Sequence, residues 1–466
     1  MIYTGDSILK TEESILIEKG IIITVNKSFE VLKSGFIYIE GSRIIDVGKM
    51  SKINSQYKHA DKIIDAKGKV ILPGLISGHT HAALSLIRGI SSNGMLDDWV
   101  KNVLRPYESY LLKHSECSYM ASLFACLNMI KNGVTCFADM HFNMDKVARA
   151  VQESGIRASL SVAMMDREDT PLTYKESIKQ NESLVKEWHN KANGRITTMF
   201  GPCTIRTCST ELFQKARELA DKYNVGLHIH LSEVKLDVDY SLKNFGKRPV
   251  EHLYEIGFLR DDVLAAHCIW LNEKELQILS KTRVNVIHNP SSNLRLASGI
   301  APIKKMLKYG INVGLGIDTA LTNNTMDMFR EMRLASLFHK MVNNDPSFLT
   351  VKSLIKMATL NNAKALGLEK DVGSLEPGKK ADIIIINFKH PDTWPAITVK
   401  NVLNNLVYSC SGWNVETVIV DGKIIMENRE VKSIDEENVY KETSQKIGEV
   451  LEEIEEFKKY REEKLY

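Results

Sequence analysis

The chain has 466 residues, 44% hydrophobic and 26% charged, an ordinary globular composition with enough apolar material for a large core. Its 61 basic and 58 acidic residues leave a net charge of only +3, which argues against nucleic acid or another polyanion as partner. An apolar run of about 18 residues, the minimum for a transmembrane helix, is missing. The polar start Met1–Glu13 has no signal-peptide core, and seven widely spread cysteines do not make a disulfide framework. A cytoplasmic protein with reduced thiols and no membrane partner is expected.

Residues 14–72 read as short β runs (Ile15–Ile17, Ile21–Val25, Phe36–Ile39, Ile44–Val47, Lys69–Leu72) separated by Lys19-Gly20, Glu40-Gly41-Ser42 and Lys67-Gly68 turns, an antiparallel module. From residue 73 the rhythm changes to apolar strands alternating with helical segments. Strands are predicted near 74–79, 134–140, 157–164, 195–202, 225–231, 263–268, 284–288 and 311–317. Eight strands with intervening helices predict an α/β fold, a (β/α)8 TIM barrel over 73–371. Asn272 with Glu275 three residues later predicts a capped helix start after the sixth barrel strand.

Past residue 372 β signals return at Ala381–Asn387, Asn401–Tyr408, Glu416–Val420 and Lys423–Met426. Residues 372–433 are expected to join 1–72 in one small β-sandwich domain formed from both chain ends. Residues 434–466 predict a charged helix docked by the stripe Ile447, Val450, Leu451, Ile454 and Phe457. A homodimer is the default oligomeric expectation.

In such a barrel the functional side chains sit at the C-terminal strand ends. Strand one ends in His79-Thr80-His81, whose period-two spacing places both imidazoles on one face. Strand five ends in His228-Ile229-His230-Leu231-Ser232-Glu233, strand six in His267, strand seven in His288 and strand eight in Asp318. Imidazoles and a carboxylate converging on one point can hold one divalent metal, Zn or Fe. Such an ion generates hydroxide near neutral pH. A carboxylate outside the ligand set must then move protons, and Glu233 fits. His267 fits as the group that orients the hydroxide, or as a further ligand.

Pro73-Gly74-Leu75, Gly78-His79-Thr80-His81, His230-x-x-Glu233, Ala266-His267-Cys268, His288-Asn289-Pro290-x-Ser292-Asn293 and Gly316-Ile317-Asp318 resemble the amidohydrolase superfamily over nearly the whole chain. They are most similar to its cytosine/adenosine deaminase-type branch. Within it the chain resembles methylthioadenosine/S-adenosylhomocysteine deaminases and triazine hydrolases. The resemblance implies metal ligands His79, His81, His230 and Asp318, a proton shuttle at Glu233, His267 on the attacking water or the metal, and Asp318 as acceptor of the water's proton. It makes His288 a structural histidine.

The implied activity is deamination of an aminated purine, nucleoside or related N-heterocycle by metal-bound hydroxide. One rival is a triazine-type hydrolase that removes an amine or halide; a rival of another class is an inactive binding protein on the same fold. Glu108 matches the ribose-binding glutamate of the nucleoside deaminases. Cys203 stands where these relatives have a substrate-binding histidine, and Ile205-Arg206 where they have Pro-Tyr. Val162 falls where an arginine for the homocysteine carboxylate is expected. Cys203, Arg206 and Trp99 are therefore candidate substrate contacts beside Glu108, and the departures argue against S-adenosylhomocysteine as substrate. Trp270 is a further candidate for stacking on a heterocycle.

Overall fold

A computed structural model describes residues 13–90, 100–167, 170–395 and 398–464, with side chains to residue 456. Strands β1 (Ser14–Ile23), β2 (Val31–Glu40), β3 (Arg43–Lys49), β4 (Lys62–Asp65) and β5 (Lys69–Pro73) open the chain. The barrel strands follow: β6 (Leu75–Thr80), β7 (Val134–His141), β8 (Arg157–Met164), β9 (Ile196–Pro202), β10 (Gly226–Leu231), β11 (Val263–His267), β12 (Asn285–His288) and β13 (Val313–Leu315). Strands β14 (Ile383–Asn387), β15 (Val415–Val420), β16 (Lys423–Glu427) and β17 (Glu430–Val431) come last.

The two chain ends form one nine-stranded sheet in the order β17-β16-β15-β14-β5-β1-β2-β3, with β4 also paired to β1. Their junction is the antiparallel pair β5–β14, with Ile71 opposite Ile385. Ile15, Ile17, Ile37, Ile39, Ile383, Ile385 and Ile419 fill a core on one face. Ile384 and Ile386 turn to the other and join the core of the barrel and its helices. A strand buried on both faces reads as a continuous apolar run, and Ile383-Ile384-Ile385-Ile386 is one.

The structure departs from the sequence expectation at two elements. The opening module is not wholly antiparallel, because β4 and β5 run parallel to β1. Two 3₁₀ turns, Met50–Lys52 and Ser55–His59, carry the chain across so that it returns in the same direction. The predicted strand Asn401–Tyr408 lies in a helix, Val399–Tyr408. Its buried residues Val402, Leu403, Leu406 and Val407 follow a helical repeat, and the Thr398 hydroxyl accepts from the Asn401 N–H to cap it.

The eight barrel strands are parallel and adjacent in chain order from β6 to β13. The last gap, between β13 and β6, is closed largely by side chains. The Asn362 amide donates to the Ile76 and Leu315 carbonyls at 2.6 and 2.7 Å, and the Ser77 hydroxyl accepts from the Ile317 N–H at 3.0 Å. Glycine is required on this seam: a Cβ at Gly314 would lie 1.8 Å from Asn362 Oδ1, and one at Gly316 would lie 2.2 Å from Asn289 Oδ1. Barrel and sheet are tied by a buried bidentate pair, Arg157 Nε and Nη2 to Asp382 at 2.9 and 3.1 Å.

The C-terminal helix Glu436–Lys464 docks by Val450 and Ile454 against Ala83, Leu86, Tyr107 and Leu111. Leu451, predicted in that stripe, faces outward, and the Phe457 side chain lies outside the described residues. The docking supports the helix Arg105–Lys113, which carries Glu108 into the pocket at the barrel mouth. Among the described residues no helix is long and apolar enough to cross a membrane.

Candidate active site

The end of β6 brings His79 and His81 side by side, with ring centroids 4.7 Å apart. Carbonyl oxygens fix the tautomers of two neighbouring rings. His81 Nδ1 donates to the Met140 carbonyl at 2.6 Å, and His230 Nδ1 to the Cys203 carbonyl at 3.2 Å. Both Nε2 atoms are thereby left with lone pairs. These face each other at 3.3 Å, a contact that only a cation or a shared proton makes favourable. His79 Nδ1 bonds His228 Nε2 at 2.8 Å, and its buried Nε2 has no hydrogen-bond partner.

Asp318 completes the cluster, with Oδ1 3.4 Å from His81 Nε2 and 3.7 Å from His79 Nε2. Donor atoms of His79, His81 and Asp318, and likewise of His79, His230 and His267, lie within 4.8 Å of one another. Donors sharing one ion at bonds of about 2.0–2.1 Å and tetrahedral angles stand roughly 3.3 Å apart, so the set fits a divalent metal. Burial is the chief cause that lowers His79, His81 and His230 below the ordinary histidine range, which keeps them in the neutral form a metal requires.

Backbone conformation aims several of these groups. Ser232, His267 and Asp318 have φ of 49°, 71° and 63°, the left-handed region that non-glycine residues seldom occupy. Each lies at or just past a strand end, where the turn redirects the following side chains out of the strand's alternation. His267 Nε2 lies 4.0 Å from Asp318 Oδ2, and its Nδ1 bonds Asn293 Oδ1 at 2.9 Å. Burial alone would lower His267, but Glu233 and Asp318 beside it outweigh that and raise it.

Glu233 Oε1 lies 3.9 Å from His267 Nδ1. Burial, aided by Asp318 and Asp237 against His267 and Arg206, raises the Glu233 carboxyl to about 7, so it exchanges protons near neutrality. Its loop is held by Asp237, which accepts from the Glu233 N–H at 2.9 Å and pairs with Arg206 Nε at 2.8 Å. Arg206 thus lines the pocket while braced by the residue that positions Glu233.

His228 and His288 are both buried. Burial pushes His228 down to about 3. His288 bonds His339 Nε2 at 3.0 Å and, at 3.4 Å, Asn293, the side chain that also holds His267.

The substrate candidates divide. Glu108, Cys203 and Arg206 line the same pocket as His81, His230, Glu233, His267 and Asp318. Burial opposes ionisation of Glu108, but His141 and Arg105 together hold its carboxyl below the usual range. Burial raises the Cys203 thiol to about 12, so it lines the pocket as a neutral group. Trp99 lies outside the described residues. Trp270 is not in the pocket lining: its indole N–H donates to the Ser298 carbonyl at 2.6 Å, and 39% of the residue is exposed.

The sequence reading missed His141 and Asp139 on β7. Both sit where the strand-end rule would have found them. Asp139, raised to about 7 by burial, accepts from the Ala82 N–H at 3.1 Å and fixes the turn after His81.

Strand-end imidazoles and carboxylates around one point of a barrel mouth define a metal-dependent hydrolase. Comparison with known proteins narrows this. The model of the amidohydrolase family matches residues 70–425. A 5′-deoxyadenosine deaminase of Methanosarcina acetivorans is 43% identical over 428 residues, 92% of this chain and 96% of the relative. A 5-methylthioadenosine/S-adenosylhomocysteine deaminase of Thermoanaerobacter pseudethanolicus is 41% identical over 91% of this chain and 96% of its own. A zinc-bound adenosine deaminase structure from Xanthomonas campestris superposes with a TM-score of 0.88 at 27% identity, covering 94% of this chain and 98% of that one. Atrazine chlorohydrolase of Arthrobacter aurescens, complexed with zinc, gives 0.86 at 25% identity, covering 93% of this chain and 100% of that one. The chain belongs to the amidohydrolase family and is a hydrolase acting on C–N bonds.

Proposed function

We propose that the protein deaminates an adenosine-type nucleoside whose 5′ substituent is uncharged. The carrying observation is one pocket that joins His81, His230 and Asp318, clustered with His79 behind them, to the proton-exchanging Glu233 and the buried carboxylate Glu108. The names of the relatives, deaminases of 5′-deoxyadenosine and of 5-methylthioadenosine/S-adenosylhomocysteine, support the substrate class. Among the described lining residues the cations are Arg105 and Arg206, paired with Glu108 and Asp237. A homocysteine carboxylate would have to compete with those pairs.

In this reading His79, His81, His230 and Asp318 hold one divalent ion, zinc as in the structural neighbours. Once bound, the ion supplies Lewis acidity that brings the pKa of a water toward neutrality. Glu233 then protonates the ring nitrogen next to the amino-bearing carbon. Asp318 accepts the proton of the attacking water, and His267 orients that water. The amino group takes up a proton and leaves as ammonia, and the carbon keeps the water oxygen as a carbonyl.

Ammonia release by zinc-loaded protein tests this over 5′-deoxyadenosine, 5′-methylthioadenosine, adenosine, S-adenosylhomocysteine, guanine and atrazine. The 5′-uncharged nucleosides should be turned over with kcat/KM at least about 10²-fold above S-adenosylhomocysteine. Equal turnover of S-adenosylhomocysteine would overturn the 5′ specificity. Turnover of atrazine alone would move the protein to triazine chemistry.

A further inference from the structure

Loops from three neighbouring barrel strands meet beside Glu233, and one buried carboxylate ties two of them together. The loop after β9 carries Arg206, which lines the pocket with its side chain 29% exposed. Its turn is fixed locally: the Thr204 hydroxyl accepts from the Arg206 N–H at 3.1 Å and from the Thr207 N–H at 3.3 Å. The Arg206 guanidinium donates from Nε to Asp237 Oδ1 at 2.8 Å. Asp237 is only 3% exposed and sits in the first turn of the helix Lys235–Phe245. Its other oxygen, Oδ2, accepts from the Glu233 N–H at 2.9 Å and from the Val234 N–H at 3.2 Å.

The backbone at Glu233 needs such a hold. Ser232 before it stands at φ 49°, a conformation that a non-glycine residue keeps only where its surroundings impose it. On one side the loop after β11 imposes it, since the Ser232 carbonyl accepts from the Ile269 and Trp270 N–H groups at 3.0 and 2.9 Å. On the other side stands Asp237, and the bond from Arg206 fixes which way that carboxylate points. A helix cap alone requires bonds to the first N–H groups of the helix; it does not require a guanidinium from another strand end. A proton carrier has to be held within about 0.5 Å of its working position, and hydrogen bonds behind it supply that precision. We propose that Arg206 is a positioning residue for the deamination, which acts on Glu233 through Asp237 and not on the substrate. This rests on the reading of Glu233 as proton carrier and adds the device that aims it.

Steady-state kinetics test it, on whichever compound of the panel above the wild type turns over fastest, with zinc-loaded Arg206→Met, Arg206→Lys, Asp237→Leu and Asp237→Glu. Arg206→Met should lower kcat about 10-fold or more with KM within about 3-fold of the wild type, while zinc stays near one per chain. Arg206→Lys, which keeps a cation for Asp237, should recover part of the loss. Asp237→Leu should lower kcat about 10²-fold, and Asp237→Glu, which keeps acceptors for the same N–H groups, should recover part of it. The sharpest readout is Asp237→Leu placed in Glu233→Gln. With no proton carrier left to aim, the second change should cost less than about 3-fold more. Raised KM with unaltered kcat in Arg206→Met would make Arg206 a substrate contact and overturn the proposal. A further loss of about 10²-fold in the double variant would make Asp237 a general support of the fold and overturn it as well. If Asp237→Leu does not fold, the two Arg206 variants decide alone. Full activity in Glu233→Gln would overturn the proton-carrier reading and the positioning with it. An inactive Glu233→Gln beside an Arg206→Met of wild-type kcat and KM would overturn the positioning only.

Discussion

Glu233 sits beside His267 but shares no hydrogen bond with the histidine cluster, so the proposed proton transfer and the proposed metal holding fall to different side chains. Glu233→Gln keeps the side chain's shape and removes its ability to carry a proton. Turnover should fall about 10²–10⁴-fold while bound zinc stays near one per chain. His230→Ala should do the reverse in order of cause, losing metal first and activity as a consequence; metal analysis and ammonia release on both variants decide it. Full activity in Glu233→Gln removes it from the mechanism, and full metal content in His230→Ala means the ligand set is wrong. Residue identity at these positions was legible because His-x-His and His-x-x-Glu spacings fall at strand ends. The turn of His267 and Asp318 into the left-handed region was not, because no local rule makes a non-glycine residue adopt φ near +65°.

At the scale of elements, barrel closure positions the candidate metal site. The His79 carbonyl accepts from the Asp318 N–H at 2.9 Å, and the Asp318 carbonyl accepts from the His81 N–H at 3.1 Å, so the proposed ligands from both sides of the seam are linked through the backbone. Asn362 holds that seam a few residues below. Asn362→Leu leaves the Ile76 and Leu315 carbonyls without their amide donor and should cost about 2–4 kcal/mol of stability. It should also weaken zinc binding, although Asn362 touches none of the proposed ligands. Denaturant unfolding and zinc titration of the variant check both, and unaltered zinc affinity would mean the seam does not set ligand geometry. The helix Val399–Tyr408 shows why element type was misread nearby: Val402-Leu403 and Leu406-Val407 are short apolar pairs that fit either period, and the Thr398 cap and the packing against neighbouring helices chose the helix.

Across the whole molecule, among the described residues, burial raises five carboxyls: Asp139 and Glu233 to about 7, Glu331 to about 8, and Glu275 and Asp327 above their usual range. Glu331 lies far from solvent, accepts from the Ser291 N–H at 3.0 Å and from the Asn323 amide at 2.7 Å, and so ties the segments that follow β12 and β13. A folded-state pKa above the unfolded value means that the folded form holds its proton more tightly. The stability from protonated Glu331 is complete below the unfolded value near 4.5 and is lost as pH rises to about 8. Metal-free protein should therefore melt at progressively lower temperature from pH 5 to pH 9. Glu331→Gln should match or trail the wild type at pH 5 and exceed it at pH 9; parallel melting curves would show that Glu331 does not ionise in this range.

The sequence by itself determined the barrel, the division of the small sheet between the chain ends, and the histidines and carboxylates at the strand ends. Side-chain period, turn residues and strand-end position are local properties of the chain, and they survive without knowledge of neighbours. The tertiary structure alone decided the parallel return of β4, the side-chain seam at Asn362, the withdrawal of Trp270 from the pocket and the arrival of His141 beside Glu108. Each of these depends on contacts between residues far apart in the chain. Packing, desolvation and hydrogen-bond satisfaction settle such contacts only once the whole fold has formed.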